Sequence, residues 1–246
     1  MKWIIILLLI LGLLWYLLPT VLTVLGNRAY HDKSLREALK WYQRAYKTGR
    51  MSPMTKMAYG LLILRDGRPE DAERLLSAVI SDRKIKPEKK APARAYRAMA
   101  YVKQGKIEDA YEEMQELLET NKSSLTYSLA GYIMALTDCP AEQLLAFCEE
   151  AYDYNADERD IADNLAVACL KCGDAARAAE LCEDLMEDYP DFTEGYYHAA
   201  QAYAALGDFP KAKQCLDKIA DCRRSYMTTV SEDEISGLAE RIHAAL

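Results

Sequence analysis

The sequence predicts an all-α chain: an α-solenoid of about six helix pairs, preceded by one N-terminal transmembrane helix and closed by a C-terminal capping helix. Three observations carry this. A 34-residue unit occurs twice without a gap over 159–226. A run of 23 residues, Trp3 to Leu25, holds no charge. No stretch of convincing length alternates apolar and polar residues as a strand does, and the sparse Gly and Pro fall between helical patterns.

In the repeated unit, Ala166, Cys169, Gly173, Asp174, Ala178, Cys182 and Leu185 return 34 positions later as Ala200, Tyr203, Gly207, Asp208, Ala212, Leu216 and Ile219. Each copy reads as two short amphipathic helices meeting at the glycine, which suits a left-handed helix stop. The small residues at 166, 178, 200 and 212 let helix backbones approach closely. This pattern resembles the tetratricopeptide repeat, whose units of about 34 residues cannot bury their apolar face singly and therefore stack.

Residues 1–26 are predicted to be the anchor. As a helix, Trp3 to Leu25 reaches roughly 34 Å at about 1.5 Å per residue, against a bilayer core of about 30 Å. Trp3, Trp15 and Tyr16 suit its interfaces. The competing reading is a cleaved signal peptide ending near Val24-Leu25-Gly26, although its apolar region would far exceed the usual 7 to 15 residues or so. Lys2 alone precedes the run, whereas Arg28, Lys33, Arg36, Lys40 and Arg44 follow it. Positive flanks stay on the cytoplasmic side, so a single-pass membrane protein with its repeats facing the cytoplasm is expected.

The repeats are placed at 19–52, 53–90, 91–124, 125–158, 159–192 and 193–226. The first overlaps the anchor, so the span is expected to run straight into the solenoid, bent at Pro19. The second carries Gly60, Gly67, Ala72 and Leu76, with four extra residues in a basic loop from Lys84 to Lys90. The third carries Ala98, Tyr101, Gly105 and Ala110. The fourth is the most divergent: Cys139 stands where glycine is expected, and Tyr132 where other repeats are small. A one-residue shift that uses Gly131 instead stays open. In 227–246, Ser231 and Glu234 form a capping box ahead of the stripe Ile235, Leu238, Ile242 and Leu246, which suits a solvating cap.

The net charge of −7 divides unevenly, with 20 Lys/Arg against 8 Asp/Glu over 27–106 and 10 against 30 over 107–246. The basic part adjoins the span, where anionic lipid would attract it. Arg28, Lys33, Arg36, Lys84, Lys86, Lys89 and Lys90 are therefore candidates for membrane-surface contact; a merely solvated loop or a nucleic-acid surface is the alternative for the loop lysines.

No catalytic motif is present, and His31, His198 and His243 are isolated in sequence, so no enzyme and no cofactor are expected. Cys169-x-x-Cys172 with Cys182 lacks the second cysteine pair a zinc site generally needs, and Cys169 and Cys182 fall at core positions, so no metal is expected either. Seven cysteines, none before Cys139, look reduced rather than paired.

The resemblance implies that positions 2, 5, 9 and 12 of each repeat's first helix line a concave groove. Here these include Met54, Met57, Leu61 and Leu64, then Met99 and Val102, then Leu129, Ile133 and Leu136, then Val167 and Leu170. The groove turns polar and acidic distally through Asp160, Asp163, Glu194, Tyr197 and Gln201. The Lys, Asn and Arg set with which the family's chaperone-tail receptors clamp a carboxylate is absent. The expected function is a membrane-anchored scaffold or adaptor that takes an apolar or amphipathic peptide or helix of a partner protein. The alternatives are tight packing that hides these residues, an exported or periplasmic repeat protein in an envelope complex, and a nucleic-acid or lipid binder using the basic half.

Overall fold

The computed structural model describes residues 2–222 and 224–246, and among them there are thirteen α-helices, one 3-10 turn and no strand. The chain divides into two compact units, Met1–Ala100 and Tyr101–Leu246.

The first unit holds α1 (Lys2–His31), α2 (Leu35–Lys47), α3 (Pro53–Arg65), α4 (Pro69–Ser81), the 3-10 turn Pro87–Lys89 and most of α5 (Ala91–Lys103). Here α1 packs on α2, α2 on α3 and α3 on α4. The second unit holds α6 (Ile107–Thr120), α7 (Ser124–Ala135), α8 (Ala141–Tyr154), α9 (Arg159–Lys171), α10 (Ala175–Asp188), α11 (Thr193–Ala205), α12 (Phe209–Ile219) and α13 (Glu232–Ala245). Each of these packs on the next, and α7, α9, α11 and α13 also touch in series. That second set of contacts follows from the repeat, which returns every first helix to the same side of the stack.

The turn glycines act as expected, two of them in Gly-Asp pairs. Gly67, Gly105, Gly173 and Gly207 hold φ of 80°, 77°, 81° and 78° and end α3, α5, α9 and α11. The aspartates then start the following helices: the Asp174 carboxylate accepts from the Arg177 N–H and Asp208 from the Lys211 N–H, both at 3.1 Å. The alanines at 166, 178, 200 and 212 are wholly buried. In the first pair the glycine's place is taken by Lys33 with φ 59°, so the same turn forms around a residue that disfavours it by about 1–2 kcal/mol.

The fourth pair keeps the packing but not the spacing. Burial along α7 follows α9 with an offset of 35, so Gly131 stands for Ala166, Tyr132 for Val167 and Met134 for Cys169. A Cβ on Gly131 would lie 2.8 Å from Asn164 Nδ2, so any larger residue there must displace the Asn164 amide. Without a glycine to end it, α7 leaves its helix through side-chain bonds: Thr137 Oγ1 donates to the Met134 carbonyl at 2.8 Å and accepts from the Cys139 N–H at 3.3 Å. This adjustment puts Ile133 in the core and turns Tyr132 outward.

At the N-terminus, α1 runs unbroken through Pro19. Its second half is the first helix of the first pair, since Gly26 is buried against α2 and a Cβ there would fall 2.6 Å from Tyr42 Cδ2. Its first half, Trp3 to Leu18, is exposed. At the C-terminus, Ser231 and Glu234 form the reciprocal cap of α13, and Leu238 and Ile242 bury against the preceding helices.

Candidate functional site

A cleft of about 420 Å³ opens on the shared side of α7, α9, α11 and α13. From α7 come Tyr132, Ala135 and Leu136; from α9 Asp163, Asn164, Val167, Leu170 and Lys171; from α11 Tyr197, His198 and Gln201. Thr229, Val230 and Glu234 close one end, so the last helix does more than cover the stack. The loop before it is tied down where Glu194 accepts from the Thr229 N–H at 2.8 Å and from Thr229 Oγ1 at 3.2 Å.

Val167, Leu170 and Leu136 make an apolar wall, and the floor is polar and internally bonded. Asn164 Nδ2 donates to the Ser128 carbonyl at 2.7 Å, which orients the side chain that meets Gly131. His198 Nδ1 and Asp163 Oδ1 lie 2.7 Å apart with both side chains mostly buried. Burial pushes the His198 pKa down, but Asp163, with Glu194 and Glu234 beyond it, more than offsets this, and the net shift is upward. Gln201 Nε2 donates to the Tyr197 hydroxyl at 3.2 Å, and Lys171 Nζ to the Ala135 carbonyl at 2.6 Å. Burial, with Glu194 and Glu234 nearby, raises Tyr132 to about 12, so its hydroxyl stays a neutral donor. The arrangement offers apolar contact along one side and fixed hydrogen-bonding groups along the other.

Of the residues predicted for a groove, Leu136, Val167 and Leu170 line this cleft, as do Asp163, Tyr197 and Gln201 of its polar end. Met54 is exposed, and Leu61, Val102 and Leu129 are half-buried. Met57, Leu64, Met99 and Ile133 are buried and present no surface to a partner. Spacing missed Tyr132 and Ala135 because α7 carries the one-residue offset, and it missed Asn164 and His198 because they sit one position beyond the expected stripe. Glu234 enters the sequence reading through its capping box with Ser231, and only its place in the fold shows that it also lines the cleft.

Among the basic candidates, Arg28, Lys33, Arg36, Lys84, Lys86 and Lys89 are exposed, whereas Lys90 is half-buried and donates to the Ile80 carbonyl at the end of α4. Cys169 and Cys182 are buried, while Cys172 is exposed past the end of α9, so the three thiols do not converge.

Comparison with known proteins agrees with this architecture. Residues 170–225 match the family description "Tetratricopeptide repeat". That stretch carries the tetratricopeptide repeat. It is 29% identical over 91 residues to tetratricopeptide repeat protein 12 of Mus musculus and 24% identical over 199 residues to the TPR repeat-containing protein YvcD of Bacillus subtilis. Those stretches are 37% and 77% of this chain but only 13% and 37% of the relatives' own lengths. Among solved structures, a tetratricopeptide repeat protein of Parabacteroides merdae superposes with a TM-score of 0.63 at 14% identity, covering 92% of this chain and 86% of that one. The APC/C hetero-tetramer Cut9-Hcn1 gives 0.73 at 11% identity, covering 91% and 42%. Tetratricopeptide repeats generally mediate protein–protein interaction and peptide binding, and the fold is typically a non-catalytic scaffold.

Proposed function

We propose that this chain is a membrane-anchored scaffold or adaptor that holds a short apolar or amphipathic segment of a partner protein in the cleft between α7 and α13. The observation that carries this reading is the open wall of Leu136, Val167 and Leu170 facing the bonded floor of Asp163, His198 and Gln201. Such a surface matches a helix or extended segment with apolar side chains on one edge and polar groups on the other. Cut9, which shares the fold, is seen with Hcn1 in a hetero-tetramer, and that supports an assembly role.

Retention of the apolar helix is supported by packing. Cleavage near Gly26 would strip the cover from Ala38, Leu39, Tyr42 and Ala45, the buried face of α2. An exposed basic flank at Arg28, Lys33 and Arg36 on the repeat side of the span supports repeats on the cytoplasmic face. These residues and the exposed loop lysines 84, 86 and 89 are the groups placed to meet lipid headgroups.

Photo-crosslinking in the native membrane tests the cleft. A crosslinking amino acid in place of Leu136 should give a discrete protein adduct that disappears when Val167→Glu is added, while the same group in place of exposed Lys213 gives none. Equal adducts from both positions, or adducts indifferent to Val167→Glu, would sink the reading.

A further inference from the structure

The sequence places 23 uncharged residues in the bilayer, but the fold uses the second part of that run twice. We infer that the lipid boundary on the repeat side crosses α1 between Trp15 and Leu18, not at Leu25, and that the first helix pair is seated in the phospholipid headgroup layer. This rests on the anchored reading above and adds where the anchor ends and what receives it.

The decisive geometry is at Pro19. A proline has no N–H, so the carbonyl four residues earlier loses its helical donor, and the ring tilts that carbonyl outward. The carbonyl belongs to Trp15. Arg50 Nη2, from the chain just after α2, donates to it at 2.6 Å, and the guanidinium lies 3.5 Å over the Trp15 ring. Arg50 Nε and Nη1 are buried and find no acceptor, so this charge is held by one carbonyl and one aromatic ring. Hydrocarbon packed around so sparsely paired a cation would raise its cost, whereas a polar headgroup layer lowers it.

Two further observations agree. α2 packs along the part of α1 after Pro19 and presents Arg36, Glu37, Lys40, Arg44 and Lys47 to the outside, so a span reaching Leu25 would drag these charges into the core. The outward side of α1 stays apolar past the boundary, with Leu17, Leu18, Val21 and Val24 all more than 40% exposed. That stripe continues the span without a break. A basic helix backed by an exposed apolar stripe fits the headgroup layer, where Arg44, 4.8 Å over the Trp41 ring, forms a second cation–aromatic pair. What remains for the hydrocarbon, Trp3 to Leu17, is roughly 22 Å long at about 1.5 Å per residue, short of a core of about 30 Å. Local thinning of the bilayer and snorkelling of Lys2 make up the difference and draw the first pair against the lipid.

The depth of Trp15 tests this. The full chain with Trp3→Phe and Trp41→Phe keeps Trp15 as its sole tryptophan, and is reconstituted in phosphatidylcholine–phosphatidylglycerol vesicles brominated either near the headgroup or near the chain end. The shallow bromine should quench Trp15 more than the deep one. In a background with all three tryptophans replaced by Phe, Ile10→Trp should show the reverse order, marking the midplane. Arg50→Gln should shift Trp15 quenching toward the deep bromine, and Arg50→Lys should shift it less. A floating chain whose Trp15 is quenched best by deep bromine overturns the boundary while leaving the anchor intact. An Arg50→Gln profile identical to that of the parent overturns the assignment to Arg50. A chain that does not float with vesicles overturns the anchored reading and the boundary together.

Discussion

Arg50 and Trp15 stand 35 residues apart, and Arg50 donates to the Trp15 carbonyl, the one whose helical donor would have come from Pro19. The proline deprives the Trp15 carbonyl of its helical partner, and the arginine supplies a charged donor from the next helix pair's threshold. One substitution in a helix and one side chain beyond the following helix are thus a single structural unit.

That unit should show as energetic coupling. In detergent micelles, Arg50→Leu is expected to lower the unfolding free energy by about 1.5–3 kcal/mol, the scale of a hydrogen bond to a charged group. The loss should shrink when Pro19→Ala is already present, because an N–H then occupies the carbonyl. A double-mutant cycle by urea unfolding measures this, and strictly additive effects would count against it.

Glycine in the second unit should divide into two kinds. Gly131→Ala pushes a methyl into Asn164, whose amide is held by the Ser128 carbonyl, and should cost about 1–3 kcal/mol. Gly237, on α13, has open space around its missing Cβ and an ordinary helical φ, so Gly237→Ala should stabilise by about 0.5–1 kcal/mol. Thermal unfolding of the two variants should move in opposite directions.

The His198–Asp163 pair should make the second unit's stability fall with rising pH. The folded pKa of His198 lies above its unfolded value near 6.5, so its contribution is complete below that value and is lost as pH climbs through the folded one. Urea midpoints of the native chain and His198→Gln should therefore differ most below about pH 6.5 and draw together as pH rises through the elevated folded pKa. A constant gap across that window would show that the charge on His198 contributes nothing.

Thiol reactivity should separate surface from core. Burial pushes Cys148 up to about 12 and Cys215 to about 11, and holds Cys182 well above the ordinary thiol range. Cys172 is exposed. Alkylation of the folded chain, read by peptide mass, should modify Cys172 first and spare those three until the repeats unfold. In intact cells, labelling of Cys172 only by a membrane-permeant reagent is the outcome expected of repeats on the cytoplasmic side.

Much of the fold was legible because its signals are local or recur at a fixed distance. The turn glycines and the capping box at Ser231 each act within four residues, and the buried alanines return after 34. The cleft was only partly legible. Val167 and Leu170 follow the spacing, but Tyr132 does not, because α7 lacks a terminal glycine and is offset by one residue. Met57, Leu64 and Met99 share the groove's spacing, yet the backbones around them pack closely enough to bury them.

By itself the sequence determined that the chain is paired helices, where the turn glycines break them, and that one end is apolar enough to enter a membrane. Tertiary structure alone decided that α13 closes a cleft, that His198 meets Asp163 across two helices, and that Arg50 reaches the carbonyl Pro19 had freed. The reason is range: helix propensity and capping are settled between near neighbours, whereas a side chain's partner across 35 residues depends on where every intervening turn sends the backbone.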